Sequence, residues 1–370
     1  MEEALLGGLS PQVFLRRHWQ KRPLLVRRAL PGFSGVIGKR ALFALAARDD
    51  IESRLVTRRD KRWRVTNGPL ERSGLTRLAR SSTRSWTLLV NGVNYYSAAA
   101  DHLLRRFSFI PQARLDDVMV SYAVPGGGVG PHFDSYDVFL VQGAGRRIWR
   151  LSRKKAFACE AQTPLRLIRN FVPDEEYLLE PGDLLYLPPG WGHDGVALDA
   201  GFTCSVGFRA PRGAELAAAF LDHLHERGLP DASYRDPGLR ATRHPGRISG
   251  NMVGFAEKTL SRIVWGKPDI KEFLGRYLST PKPNIVFRAN SKAAKQNGNI
   301  ITLDPKAQLL YLGARFFING EVLRPRAGQR RALALLADQR RAPGRLLARA
   351  GLEPLILDWC RAGYARIAKT

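Results

Sequence analysis

Residues 125–151 read PGGGVGPHFDSYDVFLVQGAGRRIWRL, and their punctuation decides the fold. A glycine-rich loop opens the stretch, but no Gly-Lys-Ser/Thr follows and no helical run comes after it, so a phosphate-cradling loop is excluded. Short apolar runs follow instead, Val138–Val141 and Ile148–Leu151, separated by Gly143-Ala144-Gly145, which reads as a hairpin turn. Working outward, similar runs stand at Val118–Val124, Leu184–Leu187 and Thr203–Phe208, bounded by Gly, Pro or Asp. Many short strands with punctuated turns point to a sandwich or barrel rather than a parallel α/β sheet.

Two segments of this strand-rich middle carry metal-ligating residue types. His132-x-Asp134, read as strand, puts an imidazole and a carboxylate on one face. DLLYLPPGWGHDG at 183–195 ends an apolar strand in a rigid Pro188-Pro189-Gly190 turn that delivers His193. Two His and one carboxylate on one face of a metal leave other positions open, as in non-haem Fe(II) oxygenases. A third segment begins at Gly145, where alternation puts Arg147 with Trp149 and Leu151, and Arg146, Ile148 and Arg150 opposite. A guanidinium facing a barrel interior is costly unless it meets an anion, and its two-point grip suits a dicarboxylic co-substrate. A solvated run of surface arginines accounts well for Arg146 and Arg150 and less well for Arg147.

The rest of the chain is organised around this middle. With 370 residues, 44% hydrophobic and 25% charged, the chain is long and apolar enough for two or three domains. Ser10-Pro11 reads as the N-cap and first position of a helix within 10–30. Short helices are expected at 40–48 and Asp101–Phe107, with strands at 62–66 and 86–90. After Pro211, Leu216, Phe220 and Leu224 recur at helical spacing within Gly213–Arg227. Residues 228–250 are Pro/Gly/Arg-rich and read as irregular; helices are expected near 251–264 and 268–278. Residues 281–370 read as a separate unit, with strands Leu309–Leu312 and Phe316–Ile318, a turn at Asn319-Gly320, and helices at 328–338 and 343–362. A winged helix shares that pattern with many α+β domains.

The formal charge is +26, and it is uneven. Residues 1–100 carry 19 basic and 7 acidic side chains and residues 281–370 carry 17 and 5, against 23 and 21 in the 180 residues between. Such flanks attract polyanions, RNA or ribosome first among them, although an Arg-rich proteome is the plainer reading. No stretch approaches the ~20 apolar residues of a membrane span. The acidic start MEEALLGGLSPQVF lacks the basic n-region of a signal peptide, and Cys159, Cys204 and Cys360 form no CxxC pair. The expectation is a cytoplasmic protein in a reducing compartment, with no membrane partner.

These motifs carry a family resemblance. Gly126-x5-His132-x-Asp134 and Gly182-x5-Pro188-x-Gly190-x2-His193 match the cupin signature. The longer strings, with SVGFRAP at 205–211 and FLRRHWQKRPLL at 14–25, resemble bacterial Jumonji-C ribosomal oxygenases, in particular the subfamily that hydroxylates an arginine of large-subunit ribosomal protein L-sixteen. The resemblance rests on motifs over residues 10–212 and on layout beyond. It implies a mainly β core with α: a double-stranded β-helix (cupin/jelly-roll) catalytic domain with N-terminal flanking helices over 1–211. A helical dimerisation segment over 212–280 and a basic winged-helix-like domain over 281–370 would follow, giving a homodimer.

The same resemblance implies Fe(II) held by His132, Asp134 and His193, and 2-oxoglutarate bound through Arg147 with help from Thr203 or Ser205. O2 would be the oxidant and succinate the co-product. Met119 and Tyr136 would sandwich the target arginine while Asp117 pairs with its guanidinium. Alternatives are a histidine hydroxylase or a demethylase of the same chemistry, or a catalytically silent cupin bound to RNA or ribosomes. A metal cupin without 2-oxoglutarate is disfavoured by Asp134 and Arg147. A basic enzyme should repel a basic ribosomal protein, so Asp116, Asp117, Asp137 and Asp194 are expected to make the mouth acidic while the basic flanks contact rRNA.

Overall fold

The computed structural model describes residues 2–59, 62–79, 85–153, 157–160, 165–289 and 300–368. Eleven described strands precede residue 212: β1 (Leu24–Val26), β2 (Ser53–Arg59), β3 (Arg62–Asn67), β4 (Ser85–Val90), β5 (Leu115–Ala123), β6 (Val138–Gln142), β7 (Arg147–Ser152), β8 (Glu175–Leu179), β9 (Leu184–Leu187), β10 (Gly192–Ala197) and β11 (Gly201–Phe208). One antiparallel sheet runs β1-β9-β6-β11-β5-β4-β2-β3, and a smaller one runs β10-β7-β8. The two meet across an apolar layer of Val138, Leu140, Leu185 and Leu187 from the large sheet and Trp149, Leu151 and Leu179 from the small one. This is the expected two-sheet β-helix.

Period-two alternation sorts each central strand between two environments. Val118, Val120 and Tyr122 of β5, Phe139 and Val141 of β6, and Cys204, Val206 and Phe208 of β11 join one core. That core is closed by Phe14 of helix Pro11–Arg17, Leu42 and Phe43 of helix Lys39–Ala46, and Leu103 and Leu104 of helix Ala98–Arg105. The opposite parity (Asp117, Met119 and Ser121 of β5, Thr203, Ser205 and Gly207 of β11) lines a cavity between the sheets. Register places Ser121 opposite Thr203 and Met119 opposite Ser205.

Several expectations need correction. Gly143-Ala144-Gly145 is not a hairpin turn: β6 lies in the large sheet and β7 in the small one, so the segment carries the chain across the barrel. The helix expected within 10–30 is seven residues long, capped by the Ser10 hydroxyl accepting from the Val13 N–H, and the chain then extends into β1 against β9. The helix expected at 343–362 is two, Gly344–Arg349 and Glu353–Ala362. They break at Gly351, whose φ of +69° lies in the left-handed region.

Beyond Pro211 come helices Gly213–Glu226, Gly250–Leu260 and Lys267–Ser279. The C-terminal unit has its own core, with Ile301, Phe316, Leu333, Leu336, Ile356 and Trp359, built from two three-stranded sheets and three helices among its described residues. Residues 290–299 of this unit lie outside the described residues. No helix among the described residues is long and apolar enough to cross a membrane.

Candidate functional site

His132, Asp134 and His193 converge at one end of the barrel, with ligand atoms all within 4.8 Å of one another. The main chain sets this spacing. The His132 N–H donates to the His193 carbonyl at 2.9 Å, the His193 N–H returns to the His132 carbonyl at 2.7 Å, and the Gly190 N–H donates to the Asp134 carbonyl at 2.8 Å. His132 and Asp134 therefore do not share a regular strand, as the sequence reading had it. Residues 131–137 are irregular except for a single bridge at His132, and it is His193 that stands on a strand, β10. The glycine-rich loop packs behind the ligands: a Cβ on Gly128 would lie 2.5 Å from the Gly195 carbonyl oxygen of β10.

Both imidazoles are oriented by their Nδ1 atoms. His132 Nδ1 lies 2.9 Å from the Gly130 carbonyl and His193 Nδ1 3.0 Å from the Trp191 carbonyl. A carbonyl only accepts, so both Nδ1 atoms carry a proton and Nε2 is the ring atom left for a ligand role. Burial pushes the His193 pKa down to about 4, with His132 adding to the effect, so the ring is neutral at physiological pH. His193 Nε2 stands 3.7 Å from Asp134 Oδ2. Two imidazoles and one carboxylate are the donor set of a divalent first-row metal with open positions, and these residues fit such an ion.

The ligands line a cavity of about 540 Å³ that also holds Arg147, Thr203, Ser205, Met119, Tyr136 and Asp117, so every site residue expected from the sequence meets in one space. Arg147 is 6% exposed and has no hydrogen-bond or ion-pair partner among the described residues; its guanidinium lies 5.7 Å from the Trp149 ring. Burial lowers its pKa to about 10, against the pull of Asp194, so it remains charged. On the other face of β7, Arg146 pairs with Asp199 and Arg150 with Glu176, both at 2.7 Å. The Thr203 hydroxyl donates to Gln142 Oε1 at 3.0 Å, an orientation fixed by the Gln142 amide donating to the Gly145 and Phe202 carbonyls. Its proton is committed. Ser205 has no such partner among the described residues.

At the mouth, Tyr136 is 40% exposed and Asp117 is buried. Asp117 Oδ2 accepts from the Gly92 N–H at 3.1 Å and from Lys282 Nζ at 3.0 Å. Burial raises the Asp117 pKa and the Lys282 charge opposes that rise. Burial works against the Lys282 charge in turn, yet Asp117 and Asp116 hold its pKa above the usual lysine range. The expected acidic mouth is thus half right. Asp137 is fully buried, accepting from Tyr186 at 2.6 Å and Gln20 at 3.0 Å, and Asp194 sits on the outer face of β10 beside Arg150. Sequence reasoning missed Lys282 and Arg54, which also line the cavity; the one signal for Lys282 is its place between Pro281 and Pro283.

Known proteins are similar to this chain in sequence and fold. Residues 102–216 match the JmjC domain family and residues 259–366 the ROXA-like winged helix family. The chain is 36% identical over 320 residues to the ribosomal protein uL16 3-hydroxylase of Escherichia coli (strain K12), covering 83% of this chain and 84% of that protein. The chain belongs to the JmjC ribosomal oxygenases. The probable ribosomal oxygenase of Haemophilus influenzae is 40% identical over 211 residues, 55% of this chain and 50% of its own. A solved structure of the oxygenase YcfD from Escherichia coli, in complex with cobalt and 2-oxoglutarate, superposes with a TM-score of 0.78 at 31% identity over 97% of this chain and 98% of that one. The mainly β JmjC core and the C-terminal winged helix are therefore shared by fold and by family.

Proposed function

We propose that this oxygenase is an Fe(II)- and 2-oxoglutarate-dependent protein hydroxylase acting on an arginine side chain of a large-subunit ribosomal protein. The observation that carries the reading is the unpartnered, buried guanidinium of Arg147 in one cavity with a His-Asp-His donor set. The relatives named above, one a uL16 3-hydroxylase and one seen with cobalt and 2-oxoglutarate, support it.

His132, Asp134 and His193 would hold the iron, which with O2 and 2-oxoglutarate supplies the oxidising power for hydroxylating an unactivated carbon. Arg147 grips the distal carboxylate of the co-substrate, and charge-assisted contact in this dry setting both binds and orients it. Ser205, with its proton uncommitted, is the hydroxyl suited to assist, whereas the Thr203 proton is already given to Gln142. Met119 and Tyr136 flank the target side chain, and Asp117 holds its guanidinium so that one methylene faces the metal. Asp117 at the mouth, which already holds the Lys282 ammonium, favours a cationic target over the neutral imidazole of a histidine hydroxylase substrate.

The wider organisation follows the same reading: a catalytic unit over 1–211, a helical segment over 212–280, and a basic winged-helix unit over 281–370. Leu221, Leu260, Val264 and Trp265 of the helical segment are more than half exposed, and a second copy of the chain would cover them. The basic flanks suit rRNA contact at a ribosome or ribosomal particle, and the place of action would be the cytoplasm. The test is a peptide spanning the arginine loop of the ribosomal protein, incubated with the iron-loaded protein, 2-oxoglutarate and oxygen. A mass gain of about one oxygen atom, lost in Asp134→Ala, is expected. Succinate without a mass gain would reject the substrate, and neither signal would reject the oxygenase.

A further inference from the structure

We infer that Lys282 is a resident cation in the arginine seat: it neutralises Asp117 while the cavity is empty, with Arg209 beside Asp116, yields Asp117 to an incoming guanidinium, and thereby sets selectivity for arginine over lysine. The inference rests on the reading above, in which Asp117 meets the target guanidinium.

Lys282 is the one ammonium among the described residues lining the cavity, and it comes from the segment that leads into the winged-helix unit. Its Nζ lies 3.0 Å from Asp117 Oδ2 and 3.1 Å from Asp116 Oδ1. The lysine side chain is 32% exposed while that of Asp117 is 10%, so the cation retains access to water and the acid does not. The backbone beneath it is held: the Ile285 N–H donates to the Lys282 carbonyl at 3.0 Å and Asn284 Nδ2 to the Asp50 carbonyl at 3.0 Å. Exchange therefore needs only a swing of the lysine side chain, with no movement of the C-terminal unit.

The acceptor edge explains the selectivity. Asp117 Oδ2 has two donors, Gly92 N–H and Lys282, whereas Oδ1 has none among the described residues. A guanidinium fork spans both oxygens of a carboxylate and gains a second charge-assisted hydrogen bond that Lys282 does not make. An incoming ammonium replaces Lys282 one for one and gains nothing. Displaced from Asp117, Lys282 keeps Asp116 as its partner.

The test uses the full chain with Fe(II) and 2-oxoglutarate, on matched peptides carrying arginine or lysine at the target position, in mildly alkaline buffer. Peptide binding to the iron-free protein is followed in parallel by fluorescence. Lys282→Met keeps the aliphatic stem and removes the competitor, so KM for the arginine peptide should fall several-fold, with kcat little moved, and the preference over lysine in binding should narrow. Lys282→Arg installs a stronger competitor and should raise that KM. Opposite shifts from one position do not follow from damaged folding. Both variants moving the same way, or Lys282→Met leaving KM unchanged or raised in a protein that melts normally, would leave Lys282 as a plain counter-ion and overturn the inference. Failure of the underlying reading looks different: wild-type protein would give no mass gain, and Asp117→Asn would leave peptide binding unmoved.

Discussion

Two cations that line the same cavity, Arg147 and Lys282, differ in burial and in what faces them. Arg147 projects from β7 with no carboxylate partner among the described residues, while Lys282 meets two carboxylates within 3.1 Å. A buried charge without a partner costs stability, and a fold retains it where a ligand completes it. A charge that is already paired can only be exchanged. On the proposed reading the cavity is polarised, with an Arg147 end suited to negative charge and an Asp117 end suited to positive charge, and the His-Asp-His set on the same wall.

The sharpest way to break this comparison is to remove the centre. Asp134→Ala or His193→Ala should abolish turnover and weaken iron retention, read as succinate formed and metal retained; normal turnover in either would dissolve the triad. Next is the deep end. Arg147→Ala should raise the 2-oxoglutarate requirement by roughly 30- to 100-fold, the worth of about 2–3 kcal/mol for a charged hydrogen-bonded grip, with metal still bound. The same change should leave the melting temperature of the co-substrate-free protein unchanged or higher, because an uncompensated charge is gone. Arg146→Ala, one residue away on the solvent face, should alter neither.

At the mouth, Asp117→Asn should raise KM for the arginine peptide by roughly tenfold through loss of a charged pair, with the 2-oxoglutarate requirement unchanged. Equal sensitivity of both substrates would erase the distinction between the two ends. The last effect concerns pH and bears on stability, not on turnover. His193 is neutral in the metal-free fold down to about 4, whereas the unfolded chain takes up that proton near 6.5. The unfolded state thus binds more protons in that window, and its contribution to stability is full above 6.5 and lost as pH falls towards 4. The loss is about 1.4 kcal/mol per pH unit, ~3 kcal/mol in all. Chemical denaturation of metal-free protein across the window measures it, and His193→Gln should flatten the slope.

What could be read from the sequence was local. Arg147, Trp149 and Leu151 sort to the interior by alternation alone, because β7 is a regular strand with one face buried. His132, Asp134 and His193 are legible from spacing, although the strand assigned to the first two is absent, since Gly130 and Pro131 interrupt the ladder just before them. What stayed hidden depends on distant chain. Asp137 looks like an active-site acid until Tyr186 and Gln20, 49 and 117 residues away, bury it. Lys282 reaches Asp117 across 165 residues, and no local pattern announces such a pair. The crossing at 143–145 resembles a hairpin because a glycine turn is the same chemistry whether the next strand pairs with the last or leaves for the other sheet.

The paired backbone hydrogen bonds between His132 and His193 have a dynamic consequence. They are the stitch by which the irregular stretch 131–137 is fastened to β10. A backbone fluctuation that parts the two segments must tear that stitch, so opening at His132 and opening at His193 are one event on one clock. Amide hydrogen exchange at His132 and His193 should slow together when iron is added.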